Sequence, residues 1–440
     1  MKRKIYLIQP TYSNRDRQLF KCKSLYIYSL ALPALSAAIP FGWQKEFCLE
    51  SFEDVNYETD ASVIGISSMG YDLFHGYEIA EKFRKRGKIV LFGGPQIHFS
   101  HDRIDSICDS VIYGHPGPKD MARILEDIEA SRLAPKYHCG KEINFPFDYS
   151  VFDNKRILFM PVLSSVGCRN ECEFCCTAAL YKGHYRLRRI QHVLADLRVI
   201  CRRTRNAVFV DANMYNNREY LLRLCSCIIK ENICLRWGAQ CSIDIGEDSE
   251  ALHLLKQAGC KILFVGLETI NQSNLDGFNK HYCVERYPEL IQRIRKSGIA
   301  VGGFFILGLD ADNSSTFEAL FYFIQKTHIS VPILNLLLPA PGTKIFDRLK
   351  AENRLIIQDE ERFIPDNLLD KTACDRCFFI PKHLSVKEAE AKFLEIGRRL
   401  SSLKEIFRRS FITDPLLSAA LLYMNINLRK DFRAMAMTRN

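Results

Sequence analysis

Short apolar runs rich in β-branched residues alternate with helical patterns along most of this 440-residue chain. Parallel strands need crossover connections of helix length, so this alternation favours parallel α/β sheets over all-α or all-β folds. In the first third, the predicted buried strands are Ile5–Gln9, Ala61–Ser67, Lys88–Phe92 and Ser110–Tyr113. The pattern predicts a doubly wound parallel sheet, similar to a Rossmann fold, in residues 1–133.

A second alternating series follows an irregular segment, residues 134–153, which is predicted to be a linker. Its predicted strands are Ile157–Ser164, Ala207–Asp211, Arg236–Ile243, Ile262–Gly266, Ala300–Leu307 and Pro332–Leu338. Six strand–helix units with right-handed crossovers form a partial (β/α)6 barrel of the TIM type, predicted for residues 154–346. Residues 347–440 are predicted to form a helical C-terminal region.

Composition excludes several classes of protein. The balance of 47% hydrophobic and 25% charged residues is typical of a globular chain. The basic runs fall within helix-like stretches, which indicates solvated helix faces and no nucleic-acid partner. The uncharged segment Ser24–Gln44 contains Pro33 and Pro40, which favours a buried helix between turns and no membrane span. Seventeen cysteines without a signal-like N-terminus indicate a reducing, cytoplasmic setting.

Three cysteines follow the first predicted barrel strand directly, at Cys168, Cys172 and Cys175. Their thiolates can converge on one cubane iron–sulfur cluster, bind three of its irons and leave the fourth iron open. A structural zinc site would need a second pair of ligands at short spacing, and the pair Cys374 and Cys377 lies far along the chain. The cluster is therefore favoured over a zinc site or unrelated buried cysteines.

The cysteine segment resembles the signature of the radical S-adenosylmethionine (radical SAM) superfamily, which places an aromatic residue, here Phe174, just before the last cysteine. The resemblance implies a [4Fe-4S] cluster held by Cys168, Cys172 and Cys175. Its open iron would bind the amino and carboxylate groups of S-adenosylmethionine, and reduction would yield a 5′-deoxyadenosyl radical. The resemblance also implies an electron donor such as flavodoxin or ferredoxin as a partner.

Later strand ends resemble further motifs of the superfamily. The matching segments are Phe209–Asn213, Gln240–Asp244, Phe264–Thr269, Gly303–Leu309 and Leu338–Thr343. By resemblance, Asp211, Ser242 and Glu268 are the candidates for contacts with S-adenosylmethionine. Each segment alone is a weak signal, because strand ends often carry Gly or Asp as turn residues. Their order along the barrel makes them support one another.

The first domain resembles the cobalamin-binding domain that is fused to one branch of the superfamily. The resemblance assigns Ser67, Gly93 and Gly94 as candidate cobalamin contacts. Members of this branch commonly methylate unactivated carbon or phosphorus. The sequence lacks Asp-x-His-x-x-Gly, so no histidine is expected to bind cobalt from below. Residues Gly114–Gly117 have the sequence Gly-His-Pro-Gly, where members of the branch usually have Gly-Glu-Gly-Glu. A second interpretation is therefore that the domain is a scaffold that binds no cobalamin.

The expected function is therefore a cobalamin-dependent methyltransferase acting on a small metabolite, lipid or peptide. One alternative is a cobalamin-independent radical SAM enzyme that performs cyclisation, epimerisation or oxidation. Another is a non-enzymatic electron-transfer or sensing protein, which is disfavoured because electron carriers usually close the cluster with a fourth cysteine. A transfer-RNA methylthiotransferase is disfavoured because the sequences around Cys22, Cys48 and Cys108 do not match that family. The sequence names neither the substrate nor a catalytic side chain.

Overall fold

The computed structural model describes residues 2–12, 19–21, 27–95, 97, 104–278, 280, 282–356, 376–412 and 414–437. The chain divides into two compact units, the first built mainly from residues 1–161 and the second mainly from residues 162–440. Each unit contains a six-stranded sheet. Among the described residues, no helix has both the length and the apolar character that crossing a bilayer requires.

The first unit contains a parallel sheet with strand order β2-β1-β3-β4-β5-β6. Its strands are β1 Lys4–Gln9, β2 Gln44–Leu49, β3 Val63–Ser67, β4 Ile89–Gly93, β5 Ser110–His115 and β6 Lys136–Lys141. Its helices are α1 Ala31–Ala38, α2 Leu73–Arg84, α3 Ile104–Ile107 and α4 Pro118–Glu129. The order reverses between β1 and β3, which confirms the doubly wound class and creates a switch point at the carboxyl ends of these two strands.

Two strands of this sheet, β2 and β6, were not predicted from the sequence. Both lie at the edges of the sheet, and β6 falls inside the predicted linker 134–153. The predicted domain boundary at residue 133 therefore comes before the last strand. Edge strands are covered less completely than central ones, and the first two residues of β2, Gln44 and Lys45, are exposed. By contrast, every residue of the central strand β3 is buried, which is why its apolar run was readable.

The second unit contains the partial barrel, with strand order β14-β13-β12-β11-β10-β7. Its strands are β7 Met160–Val162, β10 Asn206–Phe209, β11 Arg236–Cys241, β12 Cys260–Glu268, β13 Ala300–Leu307 and β14 Val331–Leu336. Its helices are α5 Cys176–Tyr181, α7 Arg218–Lys230, α8 Ser249–Gln257, α9 Gln272–Gly277, α10 Tyr287–Lys296, α11 Ser314–Thr327 and α12 Lys344–Ala351. Helix α6 Ile190–Arg203 follows α5 in the chain, but its residues 191–200 group with the first unit. Strands β10 to β14 pair in parallel, which confirms the predicted barrel architecture.

The C-terminal region is helical, as predicted, with α13 Val386–Leu400, α14 Leu403–Ser410 and α15 Pro415–Met437. Helix α15 packs Leu417 and Leu421 against Ile262, Ala300 and Val331, which lie at or near the first residues of β12, β13 and β14. This apolar cluster covers the amino ends of the strands. The carboxyl ends, where barrels of this kind place their reactive groups, lie at the opposite edge.

Candidate functional site

The cysteine loop is tied at its base by a short antiparallel pair, β8 Ser165–Val166 with β9 Arg186–Leu187. Gly167 begins the loop with φ +83°, and a Cβ at this position would lie 2.0 Å from the carbonyl oxygen of His184. Only glycine fits this close approach of two backbone segments. The loop therefore leaves the first barrel strand in a fixed direction, immediately before Cys168.

The three predicted cluster ligands lie in this loop, two of them buried. Cys168 and Cys172 are buried and Cys175 is half-buried, and the Cys175 amide donates to the Cys172 carbonyl at 3.1 Å. Burial raises the pKa of the Cys172 thiol to about 11, Lys280 opposes this shift, and the charges of Cys175 and Cys168 add to it. Cys172 therefore lies within electrostatic range of both Cys168 and Cys175.

Within the described ranges, no three His, Cys, Asp or Glu side chains are arranged to hold a single metal ion. A cubane cluster makes a different demand, because each cysteine sulfur binds its own iron and the sulfurs stand apart around the cube. Three thiols that are spread through one loop and partly withdrawn from solvent therefore suit a cubane cluster better than a single metal ion. The adjacent Cys176 is exposed and begins α5.

A chain of amide hydrogen bonds links Cys168 to the carboxyl ends of β10 and β11. The Asn216 side-chain amide donates to Cys168 Sγ at 3.4 Å, and its oxygen accepts from Asn213 Nδ2 at 3.2 Å. Asn213 Nδ2 also lies 3.2 Å from Ser242 Oγ, and Asn213 Oδ1 accepts from the Ser242 amide at 3.1 Å. Cys168 Sγ receives a second donor, the Asn170 amide, at 3.4 Å. Ser242, a predicted contact for S-adenosylmethionine, is therefore connected to the cysteine loop through two asparagines.

Asp211, another predicted contact, is completely buried at the end of β10. Its carboxylate accepts hydrogen bonds from the Ser164 amide at 3.0 Å, from Ser164 Oγ at 2.7 Å and from Ser165 Oγ at 2.5 Å. Burial raises the pKa of Asp211, and these hydrogen bonds oppose the rise. The geometry gives Asp211 the role of holding the residues between β7 and β8. Contact with a ligand remains a prediction for this residue.

Glu268 and Lys280 form a buried ion pair at the end of β12, with Lys280 Nζ 2.6 Å from Glu268 Oε1 and 3.1 Å from the Gly266 carbonyl. Glu268 has φ +63°, and the pairing register with β13 shifts between Gly266 and Glu268. A non-glycine residue in this backbone region is typical of a strained functional position. Lys280 Nζ also lies 5.9 Å from the centre of the Phe174 ring. Burial lowers the pKa of Lys280, but the charges of Glu268 and Cys172 outweigh burial and raise it overall.

Asp244 follows β11 and carries a buried carboxylate oxygen, Oδ1, without a hydrogen-bond partner among the described residues. Tyr282 is a neighbour: burial and the charge of Asp244 raise the pKa of Tyr282, while its side-chain hydrogen bond to Ser242 lowers it. A buried polar atom without a partner is costly, so such an atom commonly marks a position that a ligand completes. The position fits a hydroxyl-bearing ligand such as the ribose of a nucleoside.

In the first unit, Ser67, Gly93 and Gly94 lie at the carboxyl ends of β3 and β4. Gly94 has φ +128°, and a Cβ there would lie 1.9 Å from the Ser68 carbonyl oxygen. Gln9 ends β1 beside the switch point, and its buried Oε1 has no partner among the described residues. Glycine-lined turns and an unpaired buried amide at a switch point fit a ligand with hydrogen-bonding groups, such as cobalamin.

A comparison with protein families bears on part of the second unit. Residues 162–324 match the family described as Radical SAM superfamily. The chain contains a radical SAM domain. Such a domain implies a [4Fe-4S] cluster and S-adenosylmethionine as cofactors.

The relatives of this chain include two curated enzymes. One is bacteriochlorophyllide d C-8(2)-methyltransferase of Chlorobaculum tepidum, 27% identical over 79% of this chain and 81% of the relative. The other is hopanoid C-2 methylase of Rhodopseudomonas palustris, 26% identical over 77% of this chain and 67% of the relative.

Solved structures of radical SAM enzymes share the fold over both units. One is TsrM from Kitasatospora setae, which was solved with cobalamin and a [4Fe-4S] cluster. The superposition covers 99% of this chain and 100% of TsrM, with a TM-score of 0.74 and 15% sequence identity. Another is OxsB, which was solved with aqua-cobalamin and S-adenosylmethionine. The superposition covers 98% of this chain and 72% of the OxsB chain, with a TM-score of 0.68 and 13% sequence identity. These structures confirm the predicted arrangement of an N-terminal sheet, a radical SAM barrel and a helical C-terminus.

The sequence did not identify Asn213, Asn216, Asp244 or Lys280 as site residues of the radical SAM domain. The first three lie in loops just after barrel strands, so a search for polar residues at strand ends could have found them. Lys280 has no such signal, because it reaches the end of β12 only through the folding of α9 and the turn that follows. Of the second cysteine pair, Cys374 lies outside the described residues, and buried Cys377 contacts the Phe379 carbonyl oxygen at 3.1 Å.

Proposed function

We propose that this chain is a cobalamin-dependent radical SAM methyltransferase. The proposal depends above all on one observation: a buried three-cysteine loop at the carboxyl ends of a six-stranded barrel occurs in one chain with a doubly wound, cobalamin-domain-like sheet. The curated relatives above are methyltransferases. The fold is shared with TsrM, solved with cobalamin and a [4Fe-4S] cluster, and with OxsB, solved with aqua-cobalamin and S-adenosylmethionine. When bound, these groups supply one-electron reduction and methyl-carrier chemistry, which no protein side chain offers.

Within this proposal, Cys168, Cys172 and Cys175 hold the cluster. The buried Lys280–Glu268 pair beside Cys172 offers one cation and one anion, which match the carboxylate and amino groups of S-adenosylmethionine. Ser242 and the unpaired oxygen of Asp244 offer polar contacts to its ribose. In the first unit, Ser67, Gly93, Gly94 and Gln9 form the cobalamin contacts.

The methyl acceptor is a small metabolite, lipid or peptide, and an electron donor such as flavodoxin or ferredoxin supplies the reducing equivalents. From the relatives we carry over only the reaction class, methyl transfer to carbon, because the names of these enzymes specify carbon positions. A second candidate is direct radical chemistry without methyl transfer. It is favoured by one relative, the anaerobic magnesium-protoporphyrin IX monomethyl ester cyclase of Rubrivivax gelatinosus, 24% identical over 60% of this chain and 52% of its own length.

The experiment uses full-length protein, reconstituted without oxygen with iron, sulfide and hydroxocobalamin and then freed of unbound cofactor. S-adenosylmethionine with a deuterated methyl group is then added together with a low-potential chemical reductant, which reduces both the cluster and the corrin. Retained corrin absorption, and transfer of the deuterated methyl group to the reduced Co(I) corrin, would support methyl transfer. Production of 5′-deoxyadenosine without a retained corrin would favour direct radical chemistry. A protein that holds a stable, reducible cluster but forms neither methylated corrin nor 5′-deoxyadenosine would be an electron carrier.

Two cysteine variants test whether iron binding depends on the proposed cluster ligands in particular or on any cysteine of the chain. Cys172→Ala should lose most cluster iron, because a cubane with only two protein ligands is unstable. Cys227→Ala, a half-buried cysteine on α7, is the matched control and should keep iron content and product formation unchanged. Equal iron content in the two variants would contradict the assignment of the cluster ligands.

A further inference from the structure

Helix α14 and the residue that follows it, Phe411, carry a line of exposed apolar side chains. Leu403, Phe407 and Phe411 follow one another at intervals of four residues, and they are 53%, 47% and 62% exposed. The Phe407 and Phe411 rings stack with their centres 5.7 Å apart. The other side of the helix is buried through Ile406 and Ser410. These three residues are here called the apolar stripe. A surface helix normally turns its apolar side to the core, so apolar side chains in such a line on the solvent side are unusual.

A groove of about 670 Å³ lies beside the apolar stripe, open to solvent. Its apolar lining includes Ile270, Val284, Pro288 and Phe323, and Arg408 of α14 forms part of its wall. Arg408 directly follows Phe407 in the sequence, so one helix, α14, carries the stripe and also contributes to the groove wall. The groove and the stripe are therefore considered together as one surface. This surface combines an apolar recess with protruding aromatic rings, which suits insertion among hydrocarbon chains.

Cationic side chains surround this surface. Lys404 and Arg408 lie on α14, and Lys326 lines the groove. Burial lowers the pKa of His328, and the positive charges of Arg295 and Arg408 lower it further. The local field is therefore positive beside the groove, in a chain whose formal net charge is +10.

The acidic groups at this surface do not cancel its charge. Glu405 is buried, with Oε2 3.3 Å from Arg408 and Oε1 accepting from Gln325 at 3.0 Å. Glu285 is the acidic side chain that lines the groove. The described residues of the groove and α14 include four cations, the three named above and the buried Arg409, against these two carboxylates.

We propose that α14 and the adjoining groove dock the protein on an anionic lipid surface, with the apolar stripe among the acyl chains and the cations at the head groups. Leucine and phenylalanine flanked by lysine and arginine form the composition of interfacial helices. A second copy of the chain is a poorer occupant, because pairing two such faces would bring like charges together. This inference does not depend on the proposed methyl transfer.

The test is sedimentation of the full-length protein with vesicles. Vesicles of equal parts phosphatidylglycerol and phosphatidylcholine should bind the protein at least about tenfold more tightly than phosphatidylcholine alone, because each basic residue near an anionic surface adds affinity. The double substitution Phe407→Ser with Phe411→Ser should reduce binding to the anionic vesicles about tenfold or more, because it removes both inserted rings.

The chain offers matched controls. Phe41→Ser removes an exposed phenylalanine of the first unit and should leave vesicle binding unchanged. Lys404→Glu should weaken binding to anionic vesicles only, whereas Lys85→Glu, at the end of α2, should not. Every variant changes an exposed side chain, and circular dichroism together with iron content would establish that each one folds.

Two outcomes would overturn the proposal. One is vesicle binding that is equal in the wild-type chain and in the double phenylalanine variant. The other is a wild-type dimer, measured by light scattering, that the double substitution dissociates while neither protein binds vesicles. That second result would assign the surface to a second copy of the chain.

Discussion

Replacement of Asn216 by leucine should lower the reduction potential of the cluster. The Asn216 amide donates to Cys168 Sγ at 3.4 Å, and leucine has a similar size but no N–H group. Reduction places more negative charge on the cluster sulfurs, so a donor stabilises the reduced state more than the oxidised state. The loss of the donor therefore makes the cluster harder to reduce.

The size of the shift in reduction potential can be worked out from the energy of one hydrogen bond. A hydrogen bond to a charged group contributes about 1.5–3 kcal/mol, and only the part that differs between the two oxidation states moves the potential. We take that part as about 1 kcal/mol, which corresponds to about 40 mV for a one-electron couple. The Asn170 amide, also 3.4 Å from Cys168 Sγ, remains in the variant and keeps the effect partial. Asn216→Asp should produce a larger fall, because it adds a negative charge beside the sulfur.

The assay is a redox titration of the reconstituted protein, followed by electron paramagnetic resonance of the reduced cluster. Asn427→Leu is the matched control, because Asn427 lies on α15 and donates to the Tyr423 carbonyl in the C-terminal region. A potential that is unchanged or higher in Asn216→Leu, at normal iron content, would refute the reasoning. Loss of iron would instead show that Asn216 is needed to assemble the cysteine loop.

Three further predictions concern other positions. Gly94→Ala should lower the melting temperature sharply, since its Cβ would lie 1.9 Å from a carbonyl oxygen, whereas Gly42→Ala, with φ +96° but open space, should cost only about 1–2 kcal/mol of backbone strain. Glu268→Gln should weaken S-adenosylmethionine binding, measured by calorimetry, and should destabilise the fold by about 3–5 kcal/mol because it leaves buried Lys280 unpaired. Burial raises the pKa of Asp72 from 3.8 to about 7, so the stability that this group contributes is complete below pH 4 and is lost as the pH rises to 7. Asp72→Asn should therefore flatten the fall in melting temperature between pH 4 and pH 7.

The sequence predicted the central strands and the cysteine loop because their signals are local. A continuous apolar run such as Val63–Ser67 predicts a strand buried on both faces, and three cysteines in one loop share their neighbourhood whatever the rest of the fold does. Edge strands β2 and β6 lack such a run, since one side of the ladder faces solvent. They become strands only because β1 and β5 offer them backbone partners.

The polar partners of the site were not predictable, because each depends on contacts between distant segments. Lys280 meets Glu268 through a turn that no motif describes, and the carboxylate of Asp211 is held by Ser164 and Ser165, far away in sequence. A sequence motif therefore indicated that Asp211 matters without indicating how. In the fold it orients the strand end that leads into the cysteine loop, a role that a list of ligand contacts would miss.

The division of the barrel into two ends explains why the C-terminal helices carry no motif of the superfamily. Leu417 and Leu421 cover the amino ends of three strands, a task that requires only apolar volume and so leaves the residue types free to vary. The carboxyl ends, by contrast, need particular donors and charges at fixed positions, such as Asn216 and Lys280. A substitution such as Leu421→Ala should therefore act on stability, by about 2–5 kcal/mol, and leave the cluster potential unchanged. Substitutions of the polar residues at the opposite end should act on that potential and on ligand binding.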